Sequence, residues 1–125
     1  MNKTNRKGFT LAELLIVVAI IAVLVAIAIP VFTSQLHNAR VAADVANVRA
    51  YYAELQSDYI ATNKKQNFVS DKDFIFSTEI SHLDGTKTKL TDGIFGIAPF
   101  NKELGYEMHY ECNAGHGNHV YDFGN

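Results

Sequence analysis

Four side chains near the C-terminus have the types and spacing of a candidate metal site. His109, Cys112, His116 and His119 are ligand types that zinc accepts, and a glycine-rich stretch at 113–118 would let a hairpin bring them together. Successive side chains of a regular strand alternate between its two faces, however, so His109 and Cys112 would lie on opposite sides. We therefore predict an exposed hairpin tip with a partly buried thiol and no metal site, and these four residues are the candidates if one exists.

No other group of residues suggests catalysis. Cys112 is the only cysteine, it has no flanking nucleophile signature, and none of the serines lies in a nucleophile elbow. A single cysteine also excludes an intrachain disulfide. We predict that the chain is not an enzyme and that it needs no cofactor.

The other end of the chain contains a long apolar run. Leu14–Ile29 consists only of Leu, Ile, Val and Ala, and with residues 30–32 about 19 positions pass without a charge, close to the ~20 that cross a bilayer as a helix. The first eight residues carry three basic side chains and no acid, whereas residues 9–125 carry eight basic and thirteen acidic ones. A basic flank stays in the cytoplasm, so we predict one membrane span with an acidic head outside. The acidic balance gives no support for nucleic-acid binding.

Glu13 is the charged residue at the start of this run. Thr10 and Glu13 form the Thr-x-x-Glu pattern of a capping box, in which each side chain accepts a hydrogen bond from the other residue's backbone N–H. An acid in the first turn also suits the positive end of the helix dipole. A carboxylate at the edge of an apolar span is costly unless it is paired. Capping and pairing with a cation are therefore both open roles for Glu13.

The stretch Lys7–Val18 resembles the class III signal and N-terminal helix of type IV pilins and their pseudopilin relatives. It has a basic leader, Gly8, the aromatic Phe9, a Thr-Leu pair and an acid five residues after the glycine. The resemblance implies that a prepilin peptidase cleaves after Gly8 and methylates the new amine of Phe9. It also implies that a neighbouring subunit's Phe9 amine pairs with Glu13 and sets the register of the filament. An uncleaved signal anchor is the alternative.

The helix that begins here is predicted to continue to about Ala61. Pro30 removes one backbone hydrogen bond, so we predict a kink over 26–30. Val31–Ala61 then lacks Pro and Gly and is rich in Ala, a strong helix former. We predict that most of the charged residues of this second half lie on its solvated face: Arg40, Asp44, Arg49, Glu54 and Asp58.

Two stripes at alternating spacings of four and three mark two faces of the second half of the helix. The stripe that we predict to pack on a sheet is Val41, Val45, Val48, Tyr52, Leu55 and Tyr59. The other consists mostly of small residues: Phe32, Leu36, Ala39, Ala43, Ala46, Ala50 and Ala53. Small residues allow another helix to approach closely, so this face suits assembly, unless the alanines only favour the helix.

Residues after Ala61 show the pattern of short strands and turns. The segments that favour strands are Phe74–Phe76, Ile94–Ile97, Gly105–Cys112 and His119–Phe123, the last two pairing antiparallel, and Thr86–Leu90 is either a polar strand or the edge of a loop. Asp84-Gly85 and Asp92-Gly93 are turn signals. We predict an α+β fold with a long helix, transmembrane in its first half and amphipathic in its second, packed on a small antiparallel sheet. This plan resembles that of pilins.

Three parts follow: a cleaved basic leader (1–8), a hydrophobic transmembrane and assembly helix (9–32), and a globular head that includes the second half of the helix (33–125). The resemblance implies a structural subunit of a type IV pilus filament for adhesion, motility or DNA uptake. Such a subunit spans the cytoplasmic membrane once before assembly and then lies in a filament at the cell surface. Its partners would be identical subunits, the prepilin peptidase, and the pilus assembly platform with its ATPase.

Two alternative functions remain open from the sequence. One is a pseudopilin of a type II secretion or competence system. Pseudopilins often bind calcium near the C-terminus where many pilins have a disulfide; Asp84, Asp92 and Asp122 are candidate ligands, although no loop of clustered acids is evident. The other is a single-span membrane-anchored binding domain that never polymerises. The leader argues against it, because its removal uncovers the amine that Glu13 needs.

Overall fold

A computed structural model describes residues 8–63, 75–99, 105–114 and 119–124. In these residues one long helix precedes six strands. The helix α1 is Leu11–Ala61, and the strands are β1 Ile75–Ser77, β2 Glu79–Ser81, β3 Lys87–Lys89, β4 Gly93–Pro99, β5 Tyr106–Cys112 and β6 Val120–Phe123. The predicted α+β architecture, a long N-terminal helix packed on a small antiparallel sheet, is confirmed.

The main sheet contains four antiparallel strands in the order β1-β4-β5-β6. Gly93 lies opposite Cys112 and Pro99 opposite Tyr106, so β4 and β5 pair over their whole length. The predicted pairing of the last two strands is also confirmed, with Tyr110 opposite Tyr121. A second sheet that the sequence did not predict is formed by β2 and β3. Its strands have three residues each, too few to show an alternating pattern.

The predicted turn at Asp84-Gly85 is present, whereas at Asp92-Gly93 the chain only bends and Gly93 already begins β4. Between β2 and β3, His82 N–H donates to the Thr86 carbonyl at 2.9 Å, and Gly85 adopts a φ of 87°, which favours glycine. Asp84 accepts the Thr86 hydroxyl at 2.7 Å and its N–H at 2.8 Å, and these bonds lower the pKa of Asp84. At the start of β4, a Cβ on Gly93 would overlap the ring of Tyr110, so this strand start requires glycine.

The helix α1 continues through Pro30, and the Thr33 hydroxyl donates to the Pro30 carbonyl at 3.0 Å. The predicted kink at this proline stays a prediction. The predicted helix end near Ala61 is confirmed. Just beyond it, Thr62 N–H donates to the Asp58 carbonyl at 2.8 Å, and Asn63 takes the left-handed conformation that commonly ends a helix.

The chain divides into two units between Leu36 and His37. In the second unit, the helix buries one face: Val41, Asp44, Val45, Val48, Tyr51, Leu55 and Tyr59. The strands and the segments between them complete the core with Ile80, Leu90, Phe95, Ile97, Tyr106, Met108, Tyr110 and Cys112. The sheet-facing stripe was predicted correctly except at one position. Tyr52 is only half-buried and packs at the edge of the core, whereas Tyr51 is buried with its ring edge-on to Phe95 at 5.9 Å.

Candidate functional site

The start of α1 is closed by a reciprocal pair of hydrogen bonds. Thr10 N–H donates to Oε2 of Glu13 at 2.8 Å, and Glu13 N–H donates to the Thr10 hydroxyl at 3.3 Å. This is the predicted capping box, and it satisfies two backbone donors that a helix start leaves unpaired. Oε1 of Glu13 has no hydrogen bond to the residues that the structure describes. The exposed carboxylate therefore combines a fixed orientation with one oxygen available to a partner.

The peptide bond between Gly8 and Phe9 lies outside the helix. Both residues precede Leu11, both are exposed, and 86 % of Phe9 is accessible. A Cβ added to Gly8 would meet no atom within 4 Å. The described contacts of the chain therefore do not explain a glycine at position 8. The bond is accessible and short of the first helical turn, as a peptidase substrate requires.

An unusually large apolar surface follows this bond. From Leu11 to Phe32 every residue is exposed, and Glu13 is the one ionisable side chain from Gly8 to Leu36. By length and composition α1 qualifies as a membrane span, with a mean hydropathy of 3.4 in its most apolar part. Soluble monomers rarely expose apolar patches of this size, so the surface indicates contact with lipid or with other apolar side chains.

The small-residue stripe continues an exposed face along the second half of α1. Ala39, Ala43, Ala46, Ala50 and Ala53 are all exposed, on the side of the helix that does not face the core. The head therefore does not use this face for its own packing, and a neighbouring helix could approach it closely.

Comparison with known proteins identifies the N-terminal motif. Residues 3–29 match the family described as the prokaryotic N-terminal methylation motif. The chain is also 56 % identical over 50 residues to the type IV narrow pilus major component PilA5 of Thermus thermophilus. That match covers 38 % of this chain and 43 % of the relative, so it spans less than half of the length of PilA5.

A longer match extends well beyond the motif. Two fimbrial proteins of Pseudomonas aeruginosa are each 34 % identical over 106 residues, which cover 80 % of this chain and 69 % of each relative. The chain belongs to the type IV pilin family. This is a family of structural subunits and not of enzymes, which agrees with the prediction from the sequence. No solved structure matches this pilin significantly.

The candidate metal ligands of this pilin have separate surroundings. His109 Nδ1 lies 2.6 Å from Oδ1 of Asp122, and Cys112 is buried on the other face of β5. The ring of His119 packs edge-on to His37 at 5.4 Å, and His116 lies outside the described residues. In the part of the chain that the structure describes, no three His, Cys, Asp or Glu side chains are placed to hold a metal ion.

The three aspartates considered for calcium are also apart. Asp84 accepts two hydrogen bonds from Thr86 in the β2–β3 turn, and Asp122 pairs with His109 on the main sheet. Asp92 pairs with His37 on α1 at 3.0 Å. Each carboxylate therefore has a partner of its own.

The prediction from the sequence was wrong for Asp44, which lies in the core. We predicted a solvated charge, but the side chain is only 1 % exposed. Its carboxylate accepts Thr91 N–H at 2.8 Å, Asp92 N–H at 2.7 Å and the Tyr110 hydroxyl at 3.3 Å. Burial raises the pKa of the Tyr110 phenol, and the charge of Asp44 raises it further.

The burial of Asp44 could have been predicted from its spacing along the helix. It lies three residues after Val41 and four before Val48, which places it on the buried face. Glu54 was also predicted to be solvated, but it is half-buried. Its Oε1 accepts Leu83 N–H at 2.7 Å, and its Oε2 lies 2.7 Å from His82. Two carboxylates on α1 thus hold the segments before β3 and before β4, a structural role rather than a catalytic one.

Proposed function

We propose that this pilin is the structural subunit of a type IV pilus filament and that it polymerises through its N-terminal helix. The observation that carries the proposal is the fully exposed apolar surface from Leu11 to Phe32 with a single ionisable side chain, Glu13. Burying apolar surface is worth roughly 25 cal/mol for each Å². A bilayer covers this surface before assembly, and helices of neighbouring subunits replace the lipid in the filament.

The leader is removed before assembly. A prepilin peptidase cuts between Gly8 and Phe9, which the exposure of both residues and their position before the helix support. The same enzyme methylates the new amine of Phe9. The cut does not remove the backbone N–H of Thr10, so the capping box with Glu13 remains possible in the processed subunit.

Glu13 sets the register between subunits. Its carboxylate is held by Thr10 through one oxygen, and the other accepts the Phe9 amine of a neighbouring subunit. In an apolar bundle an unpaired carboxylate is costly, so a wrong stagger that leaves Glu13 without its amine is disfavoured. The exposed alanine face of the head part of α1 then allows the neighbour's helix to pack closely.

Assembly from the membrane requires further partners. The subunit waits as a single-span protein of the cytoplasmic membrane, and the pilus assembly platform with its ATPase moves it into a filament at the cell surface. Adhesion, motility and DNA uptake are the tasks that such a filament serves. The relatives are described as pilus and fimbrial proteins, which favours a pilus over a secretion pseudopilin.

Two variants separate the two roles of Glu13. Glu13→Gln keeps a side chain that capping boxes accept but removes the charge, whereas Thr10→Ala removes the capping hydroxyl and keeps the charge. We expect Glu13→Gln to reduce sheared filaments about tenfold or more, because a charged group loses its partner, and Thr10→Ala to retain most of them. Filament yield is measured by electron microscopy and immunoblotting.

The membrane fraction provides the control for this comparison. Both variants should accumulate in the membrane at the parental level, since neither change touches the apolar run. Normal filaments from Glu13→Gln, together with their loss in Thr10→Ala, would show that Glu13 serves the helix cap and not the register.

A further inference from the structure

The bond between Gly8 and Phe9 lies very close to the first residue of α1. Gly8, Phe9 and Thr10 are not helical, and the helix begins at Leu11. Only two residues therefore separate this bond from the helix. The position at which the helix starts decides whether the bond lies in open chain or in the first turn.

Three hydrogen bonds mark Thr10 as the residue that caps the helix. Its carbonyl accepts the N–H of Leu14 at 3.2 Å, the first bond within the helix. Its hydroxyl accepts the N–H of Glu13 at 3.3 Å, and its own N–H donates to Oε2 of Glu13 at 2.8 Å. A capping residue keeps non-helical backbone angles, so these bonds direct the chain before Thr10 away from the helical path.

The surroundings of Gly8 and Phe9 would also admit a helical turn. Phe9 is largely exposed, and a Cβ added to Gly8 would meet no atom within 4 Å. Glycine disfavours a helix but does not prevent one. Among the residues that the structure describes, the hydrogen bonds between Thr10 and Glu13 are therefore what fixes the start of α1 at Leu11.

We propose that Thr10 is a positioning residue for leader cleavage, because its cap keeps the carbonyl of Gly8 out of the helix. That carbonyl belongs to the bond that the peptidase cuts, so the inference rests on the cleavage proposed above. If the helix started two residues earlier, the Gly8 carbonyl would accept the N–H of Ala12 as the first helical bond. The peptidase could then reach the bond only after the first turn had opened.

Cleavage of the full chain by a purified prepilin peptidase in detergent micelles tests this role, with the released subunit measured by mass spectrometry. Thr10→Val keeps the shape of the side chain but removes the cap, whereas Thr10→Asn changes the shape and keeps a good cap. We expect Thr10→Val to raise KM about fivefold, the factor for one lost cap. Its kcat should stay unchanged, because only the fraction of chains with an open bond binds. Thr10→Asn should be cleaved as the parent is.

Thr33→Val is the matched control, because it removes the same hydroxyl from an exposed position further along α1, and it should be cleaved as the parent is. A parental KM for Thr10→Val would overturn the role of the cap. An equally raised KM for Thr10→Asn would also overturn it, since the peptidase would then recognise the threonine side chain itself. A parent that is not cut between Gly8 and Phe9 would instead refute the proposed cleavage. A fivefold slower cut still goes to completion during growth, which agrees with the filaments expected from Thr10→Ala.

Discussion

At the scale of the residue, Asp44 shows how one buried carboxylate can hold a segment of the head. It accepts two backbone N–H groups from Thr91 and Asp92 and a phenol from Tyr110. Hydrogen bonds to a charged group contribute about 1.5 to 3 kcal/mol each. The three bonds together offset the burial of the charge, and they fix the entry to β4 against α1.

We expect Asp44→Asn to destabilise the head by about 2 kcal/mol. The amide retains one acceptor oxygen but presents an NH₂ group to a backbone donor, which leaves a buried N–H without its acceptor. Urea unfolding followed by tyrosine fluorescence measures the change. Glu111→Gln is the control, because Glu111 is exposed on β5 and should have little effect. An equal midpoint for Asp44→Asn and the parent would contradict the role of Asp44.

The raised pKa of Tyr110 predicts a loss of stability in alkali. The unfolded phenol ionises near pH 10, whereas burial and Asp44 keep the folded one protonated to higher pH. The stability that this pKa difference gives the folded head is therefore fully present below about pH 10. It is lost as the pH rises through the pKa of the folded phenol.

Tyr110→Phe should reduce this loss of stability at alkaline pH, because the phenylalanine ring has no group that ionises. Thermal unfolding at a series of pH values from neutral to above pH 10 gives the slope, and Tyr121→Phe on the exposed strand is the control. A parent and Tyr110→Phe variant with the same slope above pH 10 would show that Tyr110 is not the group responsible.

At the scale of the element, β6 is held to the head without a disulfide. Phe123 packs against Tyr52 with ring centroids 5.9 Å apart, and the Arg49 guanidinium lies 5.7 Å from its ring. His109 and Asp122 add a contact at 2.6 Å between β5 and β6. Side-chain packing thus helps to hold the C-terminal strand to the head in a chain whose single cysteine cannot form an intrachain disulfide.

Phe123→Ala should cost about 1 to 2 kcal/mol, less than a fully buried phenylalanine, because the side chain is half-buried. Hydrogen exchange should show faster exchange of the β6 amides, with α1 unchanged. Val120→Ala on the same strand is the control, since Val120 is exposed and outside the core. Equal protection of β6 in both variants would mean that the aromatic contacts do not hold the strand.

The elements that local patterns specify were predictable. The capping box, the end of α1 and the alternation of β5 depend on residues close in sequence, and all three are confirmed. The burial of Asp44 could have been predicted from its place on the helix face, but its hydrogen-bond donors could not, because they lie 47 and 48 positions away in the sequence. Which of Tyr51 and Tyr52 is buried also depends on a residue distant in sequence, Phe95, against which Tyr51 packs.

At the scale of the whole molecule, the residue that we propose for the filament register, Glu13, could be named from the sequence, whereas its proposed contact with a neighbouring subunit lies outside any single chain. Glu13 and the apolar run stand out in the first 32 residues. A single chain cannot display the amine of another subunit. The described structure adds the orientation of the Glu13 carboxylate by Thr10, and it shows that the alanine face is not used within the head.

The most direct test is to shear cells that express this pilin, image the released material with an antibody against the head, and weigh the intact subunit from the same fraction. We predict long labelled filaments built from a chain that begins at an N-methylated Phe9. A subunit that keeps residues 1–8 and stays in the membrane without filaments would contradict assembly through the processed N-terminal helix.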